Sequence, residues 1–239
     1  MDGEGIDWGG DSSSSEADPR SYRRLTLRNL ANICKRAYDK QTFSDKRTGS
    51  EALVEDHGDI RVIAFRGTQA GSMRDYWADM KMLPSVTALH HGLVHSGGWR
   101  RSGAMFRKTL AQVESAKSRM IFIGHSLGGI EAIAMMLRFS GLPIRPDEVV
   151  VFGTPPCVRL WEQPQMPVIS VENYRDPICL ARPYNIYEPI GDLLWLDAMG
   201  AGRSEKPDNI KNFTLLSTFV KYGVRNMGYH SIAQYAHKL

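Results

Sequence analysis

The chain has 239 residues, of which 42% are hydrophobic and 23% charged, a balance that fits one α/β domain with a real core and argues against two domains. No run approaches eighteen consecutive apolar residues, and Met1–Asp7 has neither the basic segment nor the apolar stretch of a signal peptide. The expectation is a protein without a transmembrane segment or visible export address, and so cytoplasmic or exported by a signal-independent route. Cys34, Cys157 and Cys179 are odd in number and lack CxxC spacing, so they are expected to be buried thiols in a reducing compartment. The formal charge of +4 is unevenly spread: residues 1–20 hold six acids against Arg20 alone, leaving −5 there and +9 on the rest. A basic body suits anionic membrane surfaces, and no nucleic-acid motif accompanies it.

In chain order, residues 1–20 are acidic and rich in serine and glycine, and are expected to be a disordered tail ahead of one domain over 21–239. The spacing of Leu25, Leu27, Leu30, Ile33, Cys34 and Ala37 predicts a helix with one buried face. Residues 51–65 read as a hairpin turning at His57-Gly58-Asp59, with a second strand apolar enough to be central. A helix near 100–117 follows, then a strand at Met120–Ile123 and a helix from about 129. Strands at 149–152 and 168–173 come next, then a hairpin arm over 186–199 and a largely helical stretch over 213–238. Helices alternating with short buried strands imply a mostly parallel sheet covered on both faces.

The run from Arg119 to Gly129 carries the most chemistry. It is an apolar strand that turns through GHSLGG into an apolar helix, and it places Ser126 at a sharp corner above the carboxyl edge of the sheet. Gly124 and Gly128 remove bulk two residues before and two after it. The backbone N–H of Leu127 then sits at a helix start, aimed where an oxyanion forms. A serine hydroxyl needs a base, and the base needs a carboxylate to fix its tautomer, in the chain order Ser, acid, His. Downstream of Ser126 the histidines are His230, on a flexible approach to a helix, and His237, near the end of the given sequence; His230 is favoured. Asp176 follows a strand at the required edge, whereas Asp147 and Glu148 precede one; Asp192 and Asp197 stay as weaker alternatives. The turn Phe65-Arg66-Gly67-Thr68 after an earlier central strand offers Thr68 as the second oxyanion donor.

These residues resemble the class 3 (fungal-type) lipase family of serine α/β-hydrolases over roughly residues 50–238. The likeness rests on Phe65–Thr68, Trp77 and Asp79, Val94-His95, the GHSLGG elbow, Phe152-Gly153-Thr154-Pro155, Asn173 with Asp176-Pro177, and His230-Ser231-Ile232 with Tyr235. The resemblance implies an α/β-hydrolase fold, a Ser126–His230–Asp176 triad, and oxyanion donors at Thr68 and Leu127. Two departures touch the pocket: Ser96-Gly97-Gly98-Trp99 carries an extra residue, and Pro156-Cys157-Val158 replaces the expected small residues. The segment Gln69–Tyr76, where family lids lie, is short, with Met73 and Tyr76 its only large side chains, so strong interfacial activation is not expected.

The function expected is hydrolysis of lipid carboxylic esters, with phospholipase and triglyceride lipase activity not separable from these residues. An idle lipid- or partner-binding module is the alternative from another class. His90, His91 and His95 lack the cysteines or carboxylates that would complete a ligand set, so neither metal nor cofactor is expected. No oligomeric state is implied.

Overall fold

The structure is a computed structural model that describes residues 25–67, 86–89, 92–116, 119–180, 186–200, 202–204 and 228–239. The acidic stretch 1–20, the segment 69–76, Thr68, Trp77, Asp79, His90 and His91 lie outside the described residues, as does 213–227.

Eight strands form the main sheet in the order β1 (Phe43–Asp45), β2 (Ser50–His57), β3 (Ile60–Phe65), β6 (Arg119–His125), β7 (Glu148–Phe152), β9 (Val168–Asn173), β10 (Asp192–Leu196) and β11 (Gly202–Arg203). Neighbours from β3 to β10 pair in parallel, while β1, β2 and β11 pair antiparallel at the two edges. A smaller antiparallel sheet joins β4 (Val86–Leu89), β5 (Gly92–His95) and β8 (Val158–Leu160).

Because successive side chains on a strand alternate in direction, each central strand feeds two cores. Ile63, Phe65, Phe122, Val149 and Val151 face one side, where the Ser96–Glu114 and Leu127–Phe139 helices supply Met105, Val113, Ile133 and Met136. Val62, Ala64, Ile121, Ile123, Val150 and Phe152 face the other, packed by Leu30 and Ile33 of the Leu27–Arg36 helix and by Ile232 and Tyr235 of the Ile232–Lys238 helix. Burial on both faces explains why these strands read as continuous apolar runs.

The hairpin turns at the expected place, with His57 paired to Ile60. Several bounds differ from expectation. The helix near 100 starts at Ser96, because the His95 side chain accepts a hydrogen bond from the Gly98 amide and caps it. The elbow helix starts at Leu127 rather than near 129. Within 186–199, β10 is a hairpin arm whose antiparallel partner is the next strand, β11, and on its other side it also lies parallel to β9. The parallel pairing with β9 is not part of the sequence expectation, because the apolar signature of a strand does not name its partners. All three cysteines are buried thiols outside any disulfide, and burial pushes the Cys157 thiol up to about 12. No helix among the described residues is long and apolar enough to cross a membrane.

Candidate active site

Register brings the candidate residues to one rim. Phe65 pairs with Gly124, Gly124 with Val151, and Phe152 with Val171, so β3, β6, β7 and β9 end level with one another. The turns that leave these ends carry Gly67, Ser126, Gly153 and Asp176.

At the elbow, Ser126 has φ 57° and ψ −123°. Ser126 and Arg175 are the non-glycine residues with positive φ among those described, and Arg175 precedes Asp176. Such backbone costs about 1 to 3 kcal/mol and persists only where its surroundings impose it. Here the Ser126 amide donates to the Phe152 carbonyl at 3.0 Å, and the Ser126 carbonyl accepts from Gly129 and Ile130 in the first helical turn. The corner tolerates no side chain two residues before or two residues after it. A Cβ on Gly124 would collide with the Gly128 backbone, and one on Gly128 with the carbonyl of Phe65. Ser126 is 5% exposed.

Asp176 and His230 meet in the interior. His230 Nδ1 donates to Asp176 Oδ2 at 2.8 Å, with the histidine 1% and the aspartate 0% exposed. The same Oδ2 accepts from the Tyr235 hydroxyl at 2.6 Å, and Oδ1 accepts from the Ile178 amide at 2.8 Å. Burial would push the Asp176 carboxyl up, but the facing imidazole, its hydrogen bond and those of Tyr235 and Ile178 outweigh burial and hold it below the usual range. Since Nδ1 carries the proton given to the carboxylate, Nε2 of the neutral ring holds the lone pair. That Nε2 is buried and has no hydrogen-bond partner among the described residues, Ser126 included. Free geometry is often looser than the reacting complex at such sites.

Gly153 sits between the two halves, one residue after the carbonyl that holds Ser126. Its φ is +56°, and a Cβ there would lie 2.9 Å from the Tyr235 hydroxyl, 3.1 Å from Asp176 Oδ2 and 3.2 Å from His230 Cε1. The Phe152-Gly153-Thr154-Pro155 stretch therefore leaves room for the acid–base pair as well as ending β7.

Behind His230 lies a set of supporting bonds. Asn173 Nδ2 donates to the Tyr229 carbonyl at 2.8 Å, and the Asn173 amide donates to the Tyr235 hydroxyl at 3.1 Å. His125 bonds the His230 carbonyl through Nε2 at 2.7 Å. Of the weaker candidates, Asp147 caps the opposite edge by accepting from the Met120 amide at 2.7 Å, and Glu148 pairs with Arg119. Asp197 Oδ1 accepts from the Met199 amide, and His237 lines an open cleft of 510 Å³ with Tyr174, Arg175 and Met199. Leu127 is described and its amide opens the elbow helix. Thr68 is not described, but a Cβ on Gly67 would meet the Tyr38 hydroxyl and the His125 carbonyl and lie 3.4 Å from Ser126 Cβ, so Gly67 itself lies against the elbow. Sequence reasoning gave no role to Tyr38.

Comparison with known proteins agrees with this architecture. The Rhizomucor miehei triacylglyceride lipase superposes with a TM-score of 0.59 at 20% identity, covering 80% of this chain and 82% of that one. A lipase from Rhizopus microsporus var. chinensis gives 0.58 at 19% identity, covering 80% and 75%. The Rhizomucor miehei lipase in complex with its propeptide gives 0.56 at 18% identity; this chain covers 66% of that one, with 76% of its own length aligned. No curated protein matches. The shared fold is that of the α/β-hydrolases. Residues 62–175, which hold most of β3, the elbow and the strands up to Arg175, match the family model described as Lipase (class 3), so this segment is similar to class 3 lipases.

Proposed function

We propose that this protein is a serine hydrolase of lipid carboxylic esters, with Ser126 as nucleophile, His230 as base, Asp176 as the orienting acid, and the amides of Leu127 and Thr68 as oxyanion donors. The observation that carries the reading is the buried Asp176–His230 pair beside a serine held at positive φ on the same rim. The His230 Nε2 lone pair takes the Ser126 hydroxyl proton as Oγ bonds to the ester carbonyl carbon, and the carbonyl electron pair moves onto its oxygen. The resulting oxyanion meets the donors at the elbow. When the intermediate collapses, the bond to the leaving alkoxide breaks and His230 returns the proton to the alcohol. Water then repeats the sequence on the acyl-enzyme and frees the acid.

The substrate is a lipid ester, presented at an anionic surface that attracts the +9 body. Phospholipids fit that charge at least as well as triglycerides do. The short 69–76 segment favours turnover of soluble short-chain esters without an interface. The test is labelling by a fluorophosphonate probe, with Ser126→Ala as control, followed by product analysis by mass on defined glycerides and phospholipids. Labelling that the control abolishes is the result expected. A folded wild-type protein that takes no label would favour an idle binding module instead.

A further inference from the structure

His125, the residue before the nucleophile, is buried at 3% exposure and has two specific partners that the reaction as written does not use. Its Nδ1 lies 2.7 Å from the Tyr38 hydroxyl and its Nε2 lies 2.7 Å from the His230 carbonyl. A carbonyl oxygen only accepts, so Nε2 carries the hydrogen. Burial foremost, and then the neighbouring His230, push this imidazole down to about 3, so at neutral pH it is uncharged and Nδ1 accepts from Tyr38. Both hydrogen positions are thereby fixed. The ring lies against that of His230, with centroids 4.7 Å apart and planes 32° apart. The Tyr38 hydroxyl also lies against Gly67, in the turn that leads to Thr68.

We propose that Tyr38 and His125 form a positioning pair for the base: Tyr38 orients the His125 ring, and His125 holds the His230 backbone and ring in register with Asp176 and Ser126. This rests on the serine-hydrolase reading above. The bonds reach from the segment after the Leu27–Arg36 helix, through the elbow, to the turn before the Ile232–Lys238 helix, three parts of the chain far apart in sequence. Asp176 fixes the rotation of the His230 ring through Nδ1, and His125 fixes where that ring begins. An uncharged neighbour also suits the step, because His230 becomes an imidazolium as the oxyanion forms and a charged ring 4.7 Å away would oppose it.

The experiment measures kcat and KM on a soluble short-chain ester for His125→Phe, His125→Gln and Tyr38→Phe. His125→Phe keeps a ring but removes both bonds, and kcat is expected to fall at least about tenfold with KM little changed. His125→Gln can still donate to the His230 carbonyl and is expected to recover kcat to within about threefold of wild type, while Tyr38→Phe loses about threefold. An unchanged kcat in His125→Phe, a loss confined to KM, or a glutamine variant as impaired as the phenylalanine one would overturn the proposal. If His125→Phe does not fold, the other two decide by the same criteria. A wild-type protein that neither turns over ester nor takes the fluorophosphonate label would overturn the hydrolase reading itself, which separates the two failures.

Discussion

Two buried carboxylates, on opposite sides of the sheet, show how one kind of physics serves two ends. Asp176 sits on the carboxyl rim with His230 as its partner, and Glu131 sits in the elbow helix with Arg101 as its partner at 3.0 Å. Both carboxylates are 0% exposed. The pairs differ in what the cation can do. Arginine keeps its proton at any ordinary pH, so the Glu131 pair is a fixed clamp, extended by Arg101 bonds to the carbonyls of Thr48 and Gly49. Histidine can take up and release a proton, so the Asp176 pair can cycle. The supporting bonds differ too. Three donors converge on Asp176 and hold it below its usual range, whereas burial keeps Glu131 raised despite Arg101. The carboxylate held charged beside a histidine has several donors, while the one that bridges a helix to a loop manages with fewer.

The sharpest way to separate them is by what each loss removes. Asp176→Asn keeps the volume but lets the wrong nitrogen of His230 carry the hydrogen, and kcat is expected to fall about ten-thousand-fold with KM nearly unchanged. Glu131→Ala should show the reverse. It strands a guanidinium that is 12% exposed, and stability is expected to fall by about 3 kcal/mol in denaturant titration. Counted per fluorophosphonate-labelled molecule, its kcat should match wild type. A large kcat loss in Glu131→Ala would mean that the clamp shapes the elbow, and the contrast would fail.

Local signals and long-range ones were unequally legible in the sequence. The elbow reads from eleven consecutive residues, because a strand, a tight corner and a helix each leave a local pattern. Asp176 reads from its place just after an apolar strand, and His230 from chain order. The clamp does not read at all, since Arg101 and Glu131 are ordinary charged residues on two helices whose packing is set by the close approach at Gly98, where a Cβ would strike Ile130. Tyr38 is likewise invisible, because nothing near it in the chain hints at a partner 87 residues away. The parallel pairing of β10 with β9 is unread for the same reason: strand character is local, whereas a strand's partner is not.

Between the two extremes stands Tyr235, which hydrogen-bonds the Asp176 carboxylate. Its hydroxyl donates to Asp176 Oδ2 and accepts from the Asn173 amide. Tyr235→Phe leaves Asp176 with the imidazole and one backbone amide, and it strands the Asn173 N–H. A loss of about tenfold in kcat is expected, together with about 1 kcal/mol of stability. The joint loss marks a residue that serves both site and fold, whereas the Glu131 and Asp176 variants each move mainly one quantity. A stability loss with kcat unchanged would assign Tyr235 to the core alone.

The smallest expected effect concerns His125 and is read from acid titration of stability. In the native protein its ring stays neutral down to about 3, while in the unfolded chain it takes up a proton near 6.5. Between those values the unfolded state binds more protons, so stability is full above about 6.5 and declines as pH falls, by at most about 1.4 kcal/mol per unit. Asp176 acts lower, since a depressed carboxylate loses its contribution only below its ordinary value of 3.8. Glu131 works in the opposite direction, because a raised carboxyl favours the folded state as pH falls toward 4.5. Both groups are common to wild type and His125→Gln, so they cancel in the difference between the two curves. That difference should shrink as pH drops from 6.5 to 5, with wild type losing about 1 kcal/mol per unit more than the variant. Parallel curves across that window would mean that position 125 takes up a proton in the native state. A charged ring would then lie against that of His230, and the neutral platform beneath it would not exist.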